Sequence, residues 1–289
     1  MGGFQLRHHF RAKSQAPGET EQLVGGELER RVHAGDLVVF QRNALTAELV
    51  ARVRAEIRAC FPELETNWDD LSLWPCSLLE FSKLADLRER LYSDPKLHQL
   101  AARIISAAGF DAVTCVDAPR LRVINHEAEQ RPEAAPLFVV HRDTWYACPE
   151  SQINWWVPIF KTPVEQAFAF YPEHFDREVE NTSQSFDYGD WMERVGWHGR
   201  TALDDYPAPT RYEPQTTPVR FDFEAGDLLL FSAAHLHRTL PNPVAGSSRV
   251  SLDFRAVTPG VRGARNVDNG SGGALERVRR EFVPLRYLV

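Results

Sequence analysis

The 289-residue chain is 43% hydrophobic and 25% charged, an ordinary globular composition that predicts one folded domain. Its net charge of −7, without a broad cluster of Lys and Arg, excludes nucleic acid as an expected partner. No stretch approaches the roughly 20 apolar residues of a membrane span, and no signal peptide is recognisable, so we expect a cytoplasmic protein without a membrane partner. The four cysteines are far apart and are expected to be reduced thiols: Cys60, Cys76, Cys115 and Cys148.

Polarity and periodicity divide the chain into parts. Residues 1–25 are polar and aperiodic, which predicts a flexible N-terminal arm outside a single domain spanning 26–289. Within that domain we expect a largely helical support over 26–115 and a β-rich core over 116–260. A Gly- and Ser-rich sequence, NGSGG, is expected to be a flexible link within the C-terminal segment 261–289.

The helical support is predicted to contain one strand and two helices. GDLVVF, residues 35–40, has the pattern of a short strand. Thr46 is the expected N-cap of the first helix, and the second runs from Pro95 to a stop at Gly109. The apolar residues that recur at helical spacing are Leu49, Val50, Val53, Ile57 and Phe61, then Leu97, Leu100, Ala101, Ile104 and Ile105.

Beyond residue 110 the pattern changes to short β segments separated by Pro, Gly and Asn turns, which predicts a mainly β fold: a double-stranded β-helix, or jelly roll, with flanking helices. An insertion over 173–218 lacks strand alternation and is long enough for a functional lid. Its aromatic rings, taken singly, are interpreted as packing the insertion onto the core. The predicted segments are 121–125, 136–146, 153–160, 166–172, 219–223, 227–233 and 249–257.

Two candidate metal ligands occur together in PLFVVHRDTWY. His141 and Asp143 are two apart on a predicted strand, so both side chains should point to one face while Arg142 points to the other. A lone His-x-Asp pair is common, and two ligands do not make an iron site. A third ligand is therefore needed.

The later candidates are His235 and His237, which share one face of the following strand-like sequence. Either residue could complete a set of two histidines and one carboxylate, which holds Fe(II) and leaves three positions open. The residues alone do not separate these two histidines.

Arg249 and Ser251 share a strand face opposite apolar neighbours. A buried guanidinium needs an anionic partner, and its planar fork suits a carboxylate that a neighbouring hydroxyl can also bind. A structural pair between Arg249 and Asp253 is the alternative interpretation.

The sequence resembles the phytanoyl-CoA dioxygenase branch of the 2-oxoglutarate oxygenases. The similarity lies in His141-x-Asp143, the Gly-Asp turn at Gly226, His237, Asn242 and the Arg-x-Ser pair that follows. In that family the metal histidine lies about eleven residues after the Gly and about five before the Asn. This spacing selects His237 over His235.

The resemblance implies a jelly-roll enzyme that uses Fe(II), 2-oxoglutarate and dioxygen to oxidise, most simply to hydroxylate, a small organic substrate. It assigns iron to His141, Asp143 and His237, and the distal carboxylate of 2-oxoglutarate to Arg249 and Ser251. Halogenating relatives lack the acidic ligand, so Asp143 argues against halogenation but leaves desaturation and ring formation open.

Three further residues are weaker candidates. Asn125 is the expected contact to the iron-bound end of 2-oxoglutarate, although it could equally satisfy backbone groups at a strand end. Trp145 and Trp156 could wall the substrate pocket, with core packing as the alternative for each ring.

Two other functions compete with the oxygenase. A cupin-type metalloenzyme without 2-oxoglutarate would pair His235 with His237, but Pro241 and Asn242 stand where its usual Glu belongs. A non-catalytic jelly-roll binding protein, with structural histidines, is the third hypothesis.

Overall fold

The computed structural model describes residues 4–11, 23–62, 81–132, 134–196, 206–212, 216–245, 247–264 and 268–289. Cys76, Trp197 and parts of the predicted insertion lie outside these residues. The strands are β1 (Leu6–Phe10), β2 (Leu37–Phe40), β3 (Cys115–Asp117), β4 (Arg120–Asn125), β5 (Gln152–Pro158), β6 (Phe168–Phe170), β7 (Leu228–Ser232), β8 (His237–Thr239), β9 (Ser248–Val257) and β10 (Phe282–Pro284). The helices are α1 (Gly25–His33), α2 (Ala44–Cys60), α3 (Phe81–Tyr92), α4 (Pro95–Ala107), α5 (Tyr188–Arg194) and α6 (Ala274–Glu281).

The strands form two antiparallel sheets. The larger has eight strands in the order β1-β2-β7-β5-β9-β3-β10, with β4 also paired to β9, and the smaller joins β6 to β8. This mainly antiparallel architecture with flanking helices confirms the predicted jelly-roll class, although the large sheet does not close into a barrel among the described strands. Within the described residues, no helix has both the length and the apolarity needed to cross a bilayer.

Strand alternation gives the large sheet two different faces. On β9, Val250, Leu252 and Phe254 are buried in the main hydrophobic cluster with residues of α1, α2, α3 and α4. The alternate residues Arg249 and Asp253 line a cavity on the opposite face. The period of two therefore separates a helix-covered core from the face that carries polar chemistry.

The two predicted support helices are confirmed, with one change at the first N-terminus. The predicted apolar positions of both helices are buried. Asn43, and not Thr46, is the N-cap of α2, and its side chain accepts hydrogen bonds from Leu45 N and Thr46 N. Thr46 is the third helical residue and binds back to Asn43 N, which completes a capping box.

The prediction of a flexible arm over 1–25 is wrong for its described part. β1 pairs with β2 at one edge of the large sheet, and Arg7 forms ion pairs with Asp222 and with the buried Asp227. The sequence did not predict this strand because the segment is polar. Its polar side chains have specific partners elsewhere in the chain, which a local pattern does not show.

Two of the predicted β segments are also corrected. Residues 136–146 do not form a strand: Ala135–Phe138 and Asp143–Tyr146 are 3-10 helices, and His141 makes only an isolated bridge to His237. The segment 219–223 contributes isolated bridges at Val219 and Phe223.

The predicted flexible link, residues 269–273, is hydrogen-bonded to the rest of the fold together with the preceding Asp268. Asp268 accepts hydrogen bonds from Arg142 Nε (3.1 Å), Trp145 Nε1 (2.9 Å) and Val179 N (2.9 Å). Ser271 Oγ donates to Thr144 O (3.1 Å). We call residues 268–272 the C-terminal anchor, because they hold both the turn around Arg142 and the base of the insertion.

Asp268→Ala is expected to lower the free energy of unfolding by about 3–5 kcal/mol, because it leaves the buried Arg142 charge without its carboxylate. Urea denaturation measures the loss. Glu48→Ala is the matched control, since it removes an exposed partner of Arg103 and should cost under about 1 kcal/mol. Equal losses in both variants would contradict the assigned role of Asp268.

Candidate metal centre and its cavity

Three potential ligand atoms converge on one point in the structure. One atom each from His141, Asp143 and His237 lies within 4.8 Å of the others. His141 Nε2 is 3.4 Å and His237 Nε2 is 4.0 Å from Asp143 Oδ1. The structure thus brings together all three residues that the sequence motif selected as metal ligands.

Backbone hydrogen bonds hold the two imidazoles in place. His141 and His237 exchange N–H···O bonds of 2.9 Å. The Nδ1 of His141 donates to Val139 O (2.8 Å), and the Nδ1 of His237 donates to His235 O (2.9 Å). Each Nε2 therefore carries the free lone pair, which is the tautomer that a metal ligand needs.

The protonation states also suit a cation. Burial, and then the neighbouring His141, lowers the pKa of His237 to about 4, so this imidazole is neutral at pH 7. Burial opposes ionisation of Asp143, but its close contacts with His141 and His237 and the hydrogen bond from Asn154 Nδ2 outweigh the effect of burial. The pKa of the Asp143 carboxyl therefore lies below its ordinary value.

His235 does not face this centre. Its Nε2 donates to Gly35 O (3.1 Å), and its ring packs against Phe175 at 4.6 Å between centroids. Within the residues that the structure describes, His235 and His237 therefore do not form a paired-histidine metal site.

The donor set fits iron. Two imidazoles and one carboxylate whose ligand atoms lie within 4.8 Å of one another match the set that holds Fe(II) with open positions. A cavity of about 300 Å³ adjoins the three ligand atoms and provides the space for further ligands.

Arg249 lies in the same cavity as a buried cation. Nη1 donates to Gln166 O and Ala167 O, both at 3.0 Å, while Nε has no hydrogen-bond partner. Burial lowers the pKa of Arg249 to about 9. The alternative pairing with Asp253 is not formed, because Arg122 binds that carboxylate.

Ser251 is buried two residues along the same strand face, and its Oγ also has no partner in the structure. A guanidinium and a hydroxyl with unused donors, beside a metal-type donor set, fit a bound carboxylate.

Asn125 does not reach the cavity. Its Oδ1 accepts a hydrogen bond from Ser248 Oγ at 2.6 Å. Alternation along β4 explains the difference, because Arg122 and Ile124 line the cavity and the next residue points away. The expectation that Asn125 contacts a co-substrate is therefore corrected.

The two tryptophans occupy different places. Trp156 lines the cavity, and the Arg249 guanidinium lies 5.9 Å from its ring centroid. Trp145 is fully buried in another cluster and donates to Asp268, while Tyr146 lines the cavity in its place. A 3-10 turn rotates successive side chains by about 120°, so strand alternation selected the wrong ring.

The insertion supplies much of the cavity wall. Phe186, Tyr188, Trp191 and Tyr206 line it, so these rings do more than pack the insertion onto the sheet. The sequence pattern was interpreted for each ring separately, so it did not show that the four rings converge on one cavity.

Asn154 was also missed. Its Nδ2 donates to Asp143 Oδ2 at 2.5 Å, and its own Oδ1 accepts from Gln152 Nε2 at 3.0 Å. The sequence signal that could have identified Asn154 was its position two residues before Trp156, on the same face of the predicted strand.

Asn154→Ala is expected to weaken Fe(II) binding by about 10- to 100-fold, because hydrogen-bond partners orient metal-ligating carboxylates. Anaerobic titration with Fe(II) measures the affinity. Asn181→Ala, which removes a carboxamide bound to Val179 O and Asp268 O, is the control. Wild-type affinity in Asn154→Ala would show that Asp143 keeps its orientation without Asn154.

Comparison with known proteins identifies related sequences and folds. The family model for phytanoyl-CoA dioxygenase matches residues 32–250. No curated protein matches the chain significantly.

Several solved structures resemble parts of this chain at low identity. EvdO2 from Micromonospora carbonacea var. aurantiaca, complexed with 2-oxoglutarate, is 12% identical over 81% of this chain and 89% of its own, with a TM-score of 0.45. The epimerase SnoN, in complex with Fe3+, alpha ketoglutarate and nogalamycin RO, is 18% identical over 85% and 95%, with a TM-score of 0.42. The carbocyclase SnoK from nogalamycin biosynthesis is 15% identical over 83% and 85%, with a TM-score of 0.39.

Proposed function

The chain belongs to the phytanoyl-CoA dioxygenase family and is a 2-oxoglutarate-dependent non-haem iron enzyme, and we propose that it hydroxylates a small organic substrate. In this proposal His141, Asp143 and His237 hold the iron. The observation that carries the assignment is the convergence of their three ligand atoms beside a cavity that also contains the uncompensated Arg249 guanidinium.

Arg249 and Ser251 would bind the distal carboxylate of 2-oxoglutarate. Arg249 Nε and Ser251 Oγ have no hydrogen-bond partner in the structure, and both residues lie on the cavity face of β9. The carbonyls of Gln166 and Ala167 already fix Nη1, so the fork is oriented before a ligand arrives.

When bound, iron and 2-oxoglutarate would supply the oxidising power: dioxygen converts 2-oxoglutarate to succinate and carbon dioxide, and its second oxygen atom enters a substrate C–H bond. The protein contributes position and exclusion of water. Asn154 holds one oxygen of Asp143, which leaves the other oxygen facing the two histidines.

The aromatic wall would enclose the substrate. Tyr146 donates its hydroxyl to Pro207 O (3.2 Å), and burial raises the pKa of this phenol well above its ordinary value. Tyr146 is therefore a neutral wall residue and not a base. A largely apolar wall with few polar groups is typical of small-molecule sites.

The test is reconstitution under anaerobic conditions with Fe(II), followed by addition of 2-oxoglutarate and air. We expect one iron per chain and iron-dependent release of succinate, which a mixture of candidate small molecules should accelerate. Iron binding without any succinate would favour a cupin-type metalloenzyme, and the absence of both would favour a binding protein. Mass spectrometry of the accelerating compound then separates hydroxylation from desaturation or ring formation.

A further inference from the structure

Arg122 faces the cavity in addition to the groups assigned to iron and 2-oxoglutarate. Its Nε and Nη2 donate to Asp253 at 2.8 and 3.3 Å. Its side chain is nevertheless 41% exposed. Arg122 lines the cavity, whereas its neighbours Leu121 and Val123 on β4 pack on the helix-covered side. Arg122 thus presents a guanidinium edge, with Nη1, to whatever occupies that space.

Arginines predominate in the cavity wall around Arg122. Arg255 and Arg277 also line the cavity, whereas the carboxylates that pair with them, Asp117 and Glu281, are not among its lining residues. Asp253 is the one lining carboxylate among the described residues outside the metal centre, so we expect the excess of guanidiniums to attract anions.

The metal end of the cavity needs no charge from the substrate. In the proposed site, iron(II) and Arg249 carry three positive charges, and Asp143 and 2-oxoglutarate carry three negative ones. A substrate anion therefore gains little at the metal end and most beside Arg122.

Four aromatic rings line the cavity together with Arg122. Tyr206 lies 5.7 Å from Tyr146 and 5.9 Å from Trp191 between ring centroids, and Phe186 lies 6.1 Å from Tyr146. Tyr206 and Arg122 line the same cavity. We call these four rings the aromatic box. Such a box favours a flat, unsaturated molecule over a branched aliphatic one.

We propose that the substrate is an organic carboxylate with a flat aromatic or conjugated body, whose carboxylate binds Arg122 while its body occupies the aromatic box. This inference rests on the proposed function, because it assigns the other end of the cavity to iron and 2-oxoglutarate. A carboxylate matches the single guanidinium edge that Asp253 leaves available.

The test compares matched probes that differ only in charge. Protein loaded with Fe(II) and saturated with 2-oxoglutarate is titrated without oxygen in a calorimeter with indole-3-acetate, indole-3-acetamide and tryptamine, and with the corresponding naphthalene series. Saturating 2-oxoglutarate keeps the probes from Arg249. We expect the acetates to bind at least about tenfold more tightly than the amides, and the amines to bind least, since a charge-assisted hydrogen bond distinguishes them.

Variants test whether Arg122 causes the tighter binding of the acetates. Arg122→Gln should reduce acetate affinity to that of the amide without changing the affinities for Fe(II) and 2-oxoglutarate. The double variant Arg122→Gln with Asp253→Asn replaces the whole ion pair by neutral isosteres, so it should show the same loss if the single variant folds poorly. Arg103→Gln removes one positive charge from an exposed pair and should bind all probes as the wild type does.

Three results would overturn the inference: tighter binding of amides or amines, no binding by any acetate, or a loss of 2-oxoglutarate affinity in Arg122→Gln. The last result would place Arg122 in the co-substrate site. Failure of the proposed function itself would be visible separately, as wild-type protein that binds neither Fe(II) nor 2-oxoglutarate.

Discussion

His237→Ala is expected to abolish iron-dependent turnover of 2-oxoglutarate, whereas His235→Ala should keep a good part of it. His237 directs Nε2 toward His141 and Asp143, so its loss removes one of three ligands from an already open site. His235 donates to Gly35 O and accepts from Ser232 N instead, and its replacement costs packing and these two hydrogen bonds without removing a metal ligand. His141→Ala and Asp143→Ala should behave like His237→Ala.

Succinate release and iron stoichiometry, measured on the same preparations, check this ranking. Circular dichroism verifies that each variant is folded. A His237→Ala protein that retains iron and turnover, or a His235→Ala protein that loses both while folded, would show that the metal lies elsewhere.

Arg249→Leu is expected to raise the apparent KM for 2-oxoglutarate by at least about tenfold and to leave iron binding nearly intact. A charge-assisted hydrogen bond contributes about 1.5–3 kcal/mol, and Arg249 Nε has no protein partner that would compete for it. Arg249→Lys should fall between wild type and Arg249→Leu, because it keeps the charge but loses the planar fork.

The KM and the melting temperature are measured on the same samples. Arg249 also donates to Gln166 O and Ala167 O, so some loss of thermal stability accompanies either substitution. If those carbonyls were its whole role, the melting temperature would fall while the KM in the folded protein stayed unchanged. That outcome would remove the reason for assigning 2-oxoglutarate to Arg249.

Regular strands made the polar face of β9 predictable. Arg249 and Ser251 share the cavity face because ten residues of uninterrupted strand keep the period of two. The same reasoning was wrong for residues 136–146, yet His141 and Asp143 still converge. Their convergence comes from the bridge between His141 and His237 and from the 3-10 turn at Asp143, which no local periodicity encodes.

Contacts between distant residues explain what the sequence did not reveal. Tyr146 takes the wall position expected of Trp145, whose indole is bound by Asp268 from more than a hundred residues away. Arg122 and Ile124 are two residues apart and share one face of β4, but nothing in the local sequence shows which face borders a cavity. Local patterns set the face of a side chain, whereas its surroundings come from the whole chain.

The C-terminal anchor has a consequence for how the substrate range of such an enzyme can change. Residues 268–272 hold the backbone at Phe186 and Tyr188 through Gly272, and hold Arg142 between the two metal ligands through Asp268. Wall side chains can therefore be exchanged while the backbone that carries them stays fixed relative to the iron. We therefore expect substitutions of wall side chains such as Trp191 to change which substrate fits, while the three candidate metal ligands keep their positions.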